Sequence, residues 1–350
     1  MTEAASNTCK MQYVRLGKTG LKVSRLALGC MSYGTSKWQK WVLDEEESLK
    51  MIKKAYDAGI NFWDTANVYS NGESEKVVGK AIKHFNIPRE NLVIATKVHG
   101  FVHPDVSVRL QDDPEDHYFI NQRGQSRKHI MDSIDASLKR LQLDYVDLYQ
   151  IHRWDYNTPI EETMEALHDV VKSGKARYIG ASSMHAWQFA KAQHVAEKNG
   201  WTKFVSMQDL YNLIYREEER DMIPMCVDQG VGIIPWSPLA RGVLTGKDRN
   251  TTRAETDLNT KKWFGQERDE AMTAAIVDKV VEIADKKGCT PAQISLAWVL
   301  SKDYISAPIL GISSEKHLND LIGALEVKLT PEEIEALEEI YAPRKIAGFV

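Results

Sequence analysis

Several features that would each have pointed to a function are missing from this 350-residue sequence. Its four cysteines, Cys9, Cys30, Cys226 and Cys289, are scattered without the close pairing of a zinc site, as expected of idle or structural thiols in a reducing compartment. No apolar run approaches the roughly 18 residues of a membrane span. Residues 1–10, MTEAASNTCK, are polar and offer no signal-peptide core; we expect them to be disordered. There is no long basic run, and a net charge of −4 with a pI near 6.2 argues against nucleic acid as a partner. No metal-ligand pattern and no Pro/Gly/Ser-rich linker stands out. A G-x-G-x-x-G following the first strand is also missing, which counts against an open, doubly wound dinucleotide-binding sheet with a second domain. What these exclusions leave is a cytoplasmic enzyme of one domain over 1–350, 43% apolar and 27% charged.

What is present is a regular alternation of two periods. Apolar runs bounded by turn residues predict strands at Leu26–Gly29, Asn61–Thr65, Leu92–Val98, Val146–Ile151, Tyr178–Ala181, Val205–Asp209, Gly232–Trp236 and Ala307–Gly311. Helical patterns fall between and after them, at Glu45–Asp57, Glu73–Phe85, Ser126–Leu141, Ile160–Ser173, Met184–Asn199, Arg216–Gln229, Glu270–Lys287, Pro291–Ser301 and Pro331–Tyr341. A helix between successive strands is a crossover, so the strands run parallel, and eight such units close into a (β/α)8 TIM barrel. Two short alternating runs flanking Gly17–Gly20 predict an N-terminal β-hairpin that plugs the bottom of the barrel. The connections 99–125 and 237–269 are too long for plain loops and leave strand C-termini, the catalytic face of a barrel.

Four polar side chains fall at the C-terminal ends of neighbouring strands. Asp64 and Tyr69 lie in "NFWDTANVYSNGESEKVVGKAI", Lys97 in "IATKV", and His152 ends "YVDLYQIH". Singly, each reads as a solvated cap; together they read as a site. A phenol with an unperturbed pKa of about 10 is a poor acid at neutral pH. A neighbouring ammonium stabilises its phenolate, a carboxylate keeps that ammonium charged and aimed, and an imidazole can donate to a carbonyl oxygen. Such a set suits protonation of an oxygen that gains charge as hydride reaches carbon. Since no side chain carries hydride, a nicotinamide cofactor is implied.

On these motifs, together with "SLKRLQLDYVDLYQIH", "GKARYIGASS", "MQDLYNLIYRE" and "PWSPLARGVLTGK", the sequence from about Tyr13 to Leu329 resembles the aldo-keto reductases, in particular the aryl-alcohol-dehydrogenase-like branch. The resemblance implies NADP(H), bound extended without a Rossmann motif. It also implies Tyr69 as general acid, Asp64 and Lys97 in support, and His152 polarising the carbonyl. Asp64, Ser182, Ser183 and Gln208 are placed at the nicotinamide, Ser183 standing where the family commonly has Asn, and Trp236 at the ring. Ser237, Pro238, Leu239, Ala240, Arg241 and Gly242, with Lys247 and Arg253, match the segment that closes over the pyrophosphate. Gly311, Ser313, His317 and Asp320 match the adenosine end. There His317 stands where Gln or Arg is typical and Leu321 replaces an asparagine, so a weaker preference for NADPH over NADH is expected.

Rings at the strand ends, Tyr33, Trp38, Phe101, Tyr118 and Trp154, favour aromatic or bulky small-molecule carbonyls. Two rival readings remain: a regulatory, redox-sensing cofactor binder of the kind seen in potassium-channel β subunits, and a Schiff-base lyase using Lys97. Either a monomer or a weak homo-oligomer is compatible with the sequence.

Overall fold

The structure, a computed structural model, describes residues 11–108, 117–246, 251–264 and 269–349. Strands β1 (Tyr13–Arg15) and β2 (Lys22–Ser24) form the antiparallel hairpin. The parallel strands are β3 (Ala27–Gly29), β4 (Phe62–Asp64), β5 (Val93–Val98), β6 (Val146–Ile151), β7 (Ala176–Ser182), β8 (Phe204–Gln208), β9 (Gly232–Ile233) and β10 (Ile309–Leu310). They pair in the order β10-β3-β4-β5-β6-β7-β8-β9. A bridge between Trp236 and Ile309, with the Ile309 N–H donating to the Pro235 carbonyl at 2.8 Å, joins the two ends and closes the barrel.

The helices are α1 (Glu45–Asp57), α2 (Glu73–His84), α3 (Arg127–Leu141), α4 (Ile160–Lys172), α5 (Ala186–Asn199), α6 (Met222–Gln229), α7 (Thr252–Thr256), α8 (Leu258–Phe264), α9 (Glu270–Lys287), α10 (Pro291–Leu300), α11 (Glu315–Gly323) and α12 (Pro331–Glu338). In α4, Ile160, Met164, Leu167 and Val170 are buried on one face, as a 3.6-residue period requires. Thr290 and Thr330 cap α10 and α12 with full capping boxes, and each helix carries proline at its start. No helix among the described residues is long and apolar enough to cross a membrane.

Some boundaries differ from the sequence expectation, for local reasons. The expected helix Arg216–Gln229 is a 3-10 turn, Glu217–Glu219, followed by α6. Pro224, which has no N–H to give, lies in the first turn of α6. The last two barrel strands are short because Pro235 and Pro308 interrupt the ladder, although hydrogen bonds continue on either side. The connection 237–269, too long for a plain loop but with no helix expected in it, carries α7 and α8.

Inside the barrel the period-2 alternation sorts residues by height. Phe62, Val93, Ala95 and Leu148 form an apolar floor with Leu16 and Val23 of the hairpin region. Above Phe62 on the same face comes Asp64, above Ala95 comes Lys97, and above Leu148 comes Gln150. Two glycines make this geometry possible. A Cβ on Gly180 would meet Ser206 Oγ at 2.3 Å and Gln150 Cγ at 3.1 Å. Gly17 adopts φ +55 and lies so close to the start of β9 that a Cβ would meet the Gly230 oxygen and Gly232 nitrogen at 2.5 Å. The hairpin thus seals the N-terminal end, leaving the C-terminal end for chemistry.

Candidate active site

At the open end the interior turns polar, and the sequence-predicted cluster assembles there. Lys97 Nζ donates to Asp64 Oδ2 at 2.5 Å, to the Thr65 carbonyl at 2.9 Å and to Tyr69 Oη at 3.2 Å. Lys97 and Asp64 are fully withdrawn from water, whereas Tyr69 is partly buried. Burial pulls the Lys97 ammonium down, but the Asp64 carboxylate and then the Tyr69 oxygen overturn that effect and hold it above the usual lysine value. The other Asp64 oxygen, Oδ1, accepts from Gln208 Nε2 at 2.9 Å and from Gln150 Nε2 at 3.2 Å. His152 stands edge-on to Tyr69, with ring centroids 5.7 Å apart. Removal from water, then the Arg153 and Lys97 charges, hold its imidazole well below the ordinary histidine value, so it is neutral at pH 7.

Tyr69 sits in an unusual backbone. Ser70 and Asn71 both take the left-handed conformation, with φ 49 at each, and Gly72 follows with φ 90. The Asn71 side chain supports this turn: Nδ2 donates to the Val108 carbonyl at 2.7 Å, and Oδ1 accepts from the His103 N–H at 3.2 Å. The long connection after β5 is thereby tied to the chain two residues beyond Tyr69. An open cleft of about 730 Å³ lies on the outer side of this tie, between Asn71, Val102, Tyr118 and Arg140. Its lining does not include Tyr69, Lys97 or His152, so it is separate from the cluster.

Ser182, Ser183 and Trp236 come together beside that cluster. Ser182 Oγ donates to the Gln208 carbonyl at 2.7 Å, and Trp236 Nε1 donates to Ser183 Oγ at 3.1 Å. Ser183 has φ 51. Asparagine tolerates that region better than serine, which gives a backbone reason for the family's usual residue here. Ser183 is instead held by its N–H, which donates to Asp209 Oδ1 at 2.7 Å.

From Ser237 onward the chain doubles back in left-handed conformations at Ser237, Ala240, Arg241 and Gly242. The step from Leu239 (φ −104, ψ 19) into that run is a tight turn in which the Ala240 N–H donates to the Ser237 carbonyl and the Gly242 N–H to the Leu239 carbonyl, both at 2.9 Å. Arg241 ion-pairs with Asp257, and Arg253 Nε reaches the same carboxylate oxygen at 3.1 Å. Two guanidinium groups against one carboxylate leave a positive charge uncompensated. Burial, then the neighbouring Arg253, depress Arg241 to about 10, and its buried Nε has no hydrogen-bond partner among the described residues. An anion between these groups would relieve both, so the residues present fit a diphosphate. The segment is fastened over the barrel by rings: Arg241 over Trp263 at 4.4 Å, Trp263 beside Trp236 at 5.1 Å, and Arg253 over Trp41 at 4.2 Å. Gly311 borders Arg253, since a Cβ there would meet Nη1 at 3.6 Å.

The remaining predicted positions divide. Ser313 Oγ lies 3.1 Å from His317 Nδ1 at the exposed start of α11. Asp320 is otherwise engaged: its carboxylate accepts from Thr290 Oγ1 at 2.8 Å, bracing the start of α10. Lys247 lies outside the described residues. Trp38 packs with Trp41 and Val42, with Tyr69 against them. Trp154 meets Trp187 edge-on at 6.3 Å, and Tyr118 is 70% exposed. Phe101 is buried against Phe119, with centroids 5.0 Å apart. Tyr33, expected in the substrate pocket, is sealed in the core with no accessible surface, and its hydroxyl donates to the Ile312 carbonyl at 2.8 Å. Gln150, Arg153, Asp209, Asp257 and Trp263 were missed from sequence. Arg153 and Asp209 follow His152 and Gln208 directly, so adjacency was the available signal.

With this geometry in hand, the comparisons with known proteins agree. The profile of the Aldo/keto reductase family matches residues 25–342. The chain is 50% identical over 346 residues to the versiconal hemiacetal acetate reductase of Aspergillus parasiticus, covering 96% of this chain and 98% of that protein. It is also 50% identical over 353 residues to a Schizosaccharomyces pombe protein named by inference as an aryl-alcohol dehydrogenase, covering 96% and 97% of the two. Identity to an aldo-keto reductase of Fusarium vanettenii is 45% over 347 residues, with 97% and 93% covered. The fold and site define an oxidoreductase built on a (β/α)8 barrel; the chain belongs to the aldo-keto reductase family, on the side of its aryl-alcohol-dehydrogenase-like members.

Proposed function

We propose that this protein reduces aldehydes and ketones, aromatic or bulky ones in particular, to alcohols with NADPH as the hydride source. The observation that carries the reading is the chain of contacts from Asp64 through Lys97 to the Tyr69 hydroxyl, with a neutral His152 against the tyrosine ring. When bound, the nicotinamide cofactor supplies hydride to the carbonyl carbon. Tyr69 gives its phenolic proton to the carbonyl oxygen as negative charge builds there. The Lys97 ammonium, 3.2 Å away, stabilises the phenolate left behind, and Asp64 keeps that ammonium charged and pointed at it. A neutral imidazole has one N–H to donate, which lets His152 orient the same oxygen without competing as an acid.

For the cofactor, Ser182, Ser183 and Gln208 would hold the carboxamide, and Trp236 would flank the ring. The backbone of Ser237–Gly242 with Arg241 and Arg253 would take the phosphates. Gly311, Ser313 and His317 would meet the adenosine end. The lyase alternative runs against the geometry, because a Schiff base needs a neutral lysine and Lys97 is held charged by a carboxylate 2.5 Å away.

The test is loss of absorbance at 340 nm with a panel of aldehydes and ketones and with NADPH or NADH. Reduction with NADPH, lost in Tyr69→Phe, is expected. A variant keeping more than about a tenth of wild-type kcat would show that Tyr69 is not the essential acid, because it would have lost less than about 1.4 kcal/mol of barrier lowering.

A further inference from the structure

Arg153 is treated differently from the other arginines that this fold withdraws from water. Arg89, Arg140, Arg216, Arg241, Arg253 and Arg344 each have a carboxylate within 3.1 Å. Arg25 donates instead to the backbone carbonyls of Leu300, Ile305 and Ser306. Arg153 makes one hydrogen bond, from Nη1 to the carbonyl of its own neighbour His152 at 2.5 Å, and no ion pair among the described residues. A guanidinium has five N–H donors; Arg153 is half-buried and none of its nitrogens is sealed in without a partner, so the donors it does not use within the protein stay open to a ligand.

Its position says what could use them. The guanidinium carbon lies over the Trp236 ring, 5.9 Å from the centroid. Its Nη1 is held by the carbonyl of His152, the residue whose ring stands edge-on to Tyr69, which puts the guanidinium beside the candidate proton donor; removal from water depresses it, while the Tyr69 and Asp209 charges favour it. Asp209 is no committed partner: its Oδ1 is taken by the Ser183 N–H, and its buried Oδ2 has no hydrogen-bond partner among the described residues. Beside the candidate proton donor, then, stands a partly buried cation with a free planar fork, flanked by an aromatic ring. That combination matches a carboxylate, which pairs with arginine through two parallel hydrogen bonds.

We propose that Arg153 is a specificity-determining residue that receives a carboxylate carried by the carbonyl substrate, so that oxo-acids and carboxylated aromatic aldehydes are preferred to their neutral counterparts. This rests on the reductase reading above, and its test separates the two. Binding is measured first, without turnover, by titrating benzoate or benzamide into wild type, Arg153→Met and Arg153→Lys and following tryptophan fluorescence and heat. Benzoate should bind wild type saturably and at least tenfold more weakly to Arg153→Met. Benzamide should differ by less than threefold between the two. Arg153→Lys, which keeps the charge but loses the fork, should fall between and serves where the methionine variant does not fold. Absence of saturable benzoate binding to wild type, or equal binding to wild type and Arg153→Met, overturns the proposal. Turnover then gives a second readout: the kcat/KM ratio of 4-carboxybenzaldehyde to benzaldehyde should drop at least tenfold in Arg153→Met, chiefly through KM. An equal loss on both aldehydes, or a change confined to the KM for NADPH, assigns the arginine to catalysis or to the cofactor and overturns it too. Absence of turnover with every aldehyde would sink the reductase reading while leaving the benzoate result to decide on Arg153.

Discussion

The strand-end cluster and the start of α11 lie on the same face of the barrel, yet they handle charge in opposite ways. Asp64 and Lys97 are buried, 2.5 Å apart, and each has further hydrogen-bond partners. At α11, Ser313, Lys316 and His317 are exposed, and the contact among them is a single hydroxyl–imidazole pair 3.1 Å apart. In the first region a charge is there only because its partner is, since an unpaired ion out of water costs several kcal/mol. In the second, water solvates whatever is unpaired, so a residue can be exchanged at little cost. The chemistry of the first region should therefore be rigid and that of the second tunable.

The largest expected effect tests the rigid region directly. Tyr69→Phe should lower kcat for carbonyl reduction by at least about 100-fold, the usual range for a lost general acid, while cofactor affinity measured by fluorescence titration stays within a few-fold. Next comes pairing. Lys97→Met leaves the Asp64 carboxylate buried without its cation and should lower stability by about 3–5 kcal/mol in urea unfolding. The Asp64→Asn, Lys97→Met double variant should be clearly more stable than the sum of the single losses. Simple additivity would mean that the pair is solvated after all.

A pH experiment sharpens the contrast at a buried carboxyl that keeps its proton instead of pairing its charge. Burial pushes the Asp209 carboxyl up to about 7, although the Ser183 N–H and Arg153 oppose this. Because the folded state keeps this proton where the unfolded chain has lost it, the group's contribution is full below about pH 4 and is lost as pH rises toward 7. Asp209→Asn should remove that part of the decline in urea midpoint across this window. An unchanged slope would place the titration elsewhere, Glu218 being the first candidate because burial raises it to about 9. The smallest effect belongs to the tunable region: His317→Ala should change the NADPH-to-NADH ratio of kcat/KM by less than about tenfold, in line with an exposed contact. A larger change would mean that α11 closes over the cofactor.

Much of the strand-end site was legible because a barrel strand shows its interior face at every second residue. When that face changes from Phe62 to Asp64, or from Ala95 to Lys97, the sequence itself marks the height at which the core ends. The rest was not legible from periodicity. Tyr33 and Trp38 follow the same strand, yet one is sealed against the Ile312 carbonyl and the other packs in a small cluster beside Tyr69. Asp320 looked available until Thr290, 30 positions away, was found to hold it. The helices in 237–269 were hidden for a similar reason: they are short and depend on Asp257 being shared by Arg241 and Arg253.

By itself, then, the amino-acid sequence determined the order of strands and crossovers, the sealed bottom, and the acid, lysine, phenol and imidazole at successive strand ends. Each of these follows from a pattern within a few residues of chain. Tertiary structure alone decided which charges neutralise one another. Burial makes every ion depend on a partner that the chain brings from far away, as Asp64 does for Lys97 across 33 positions. Among the described residues it also left Arg153 with no ion-paired carboxylate, which depends on what the neighbouring elements supply and not on the local sequence.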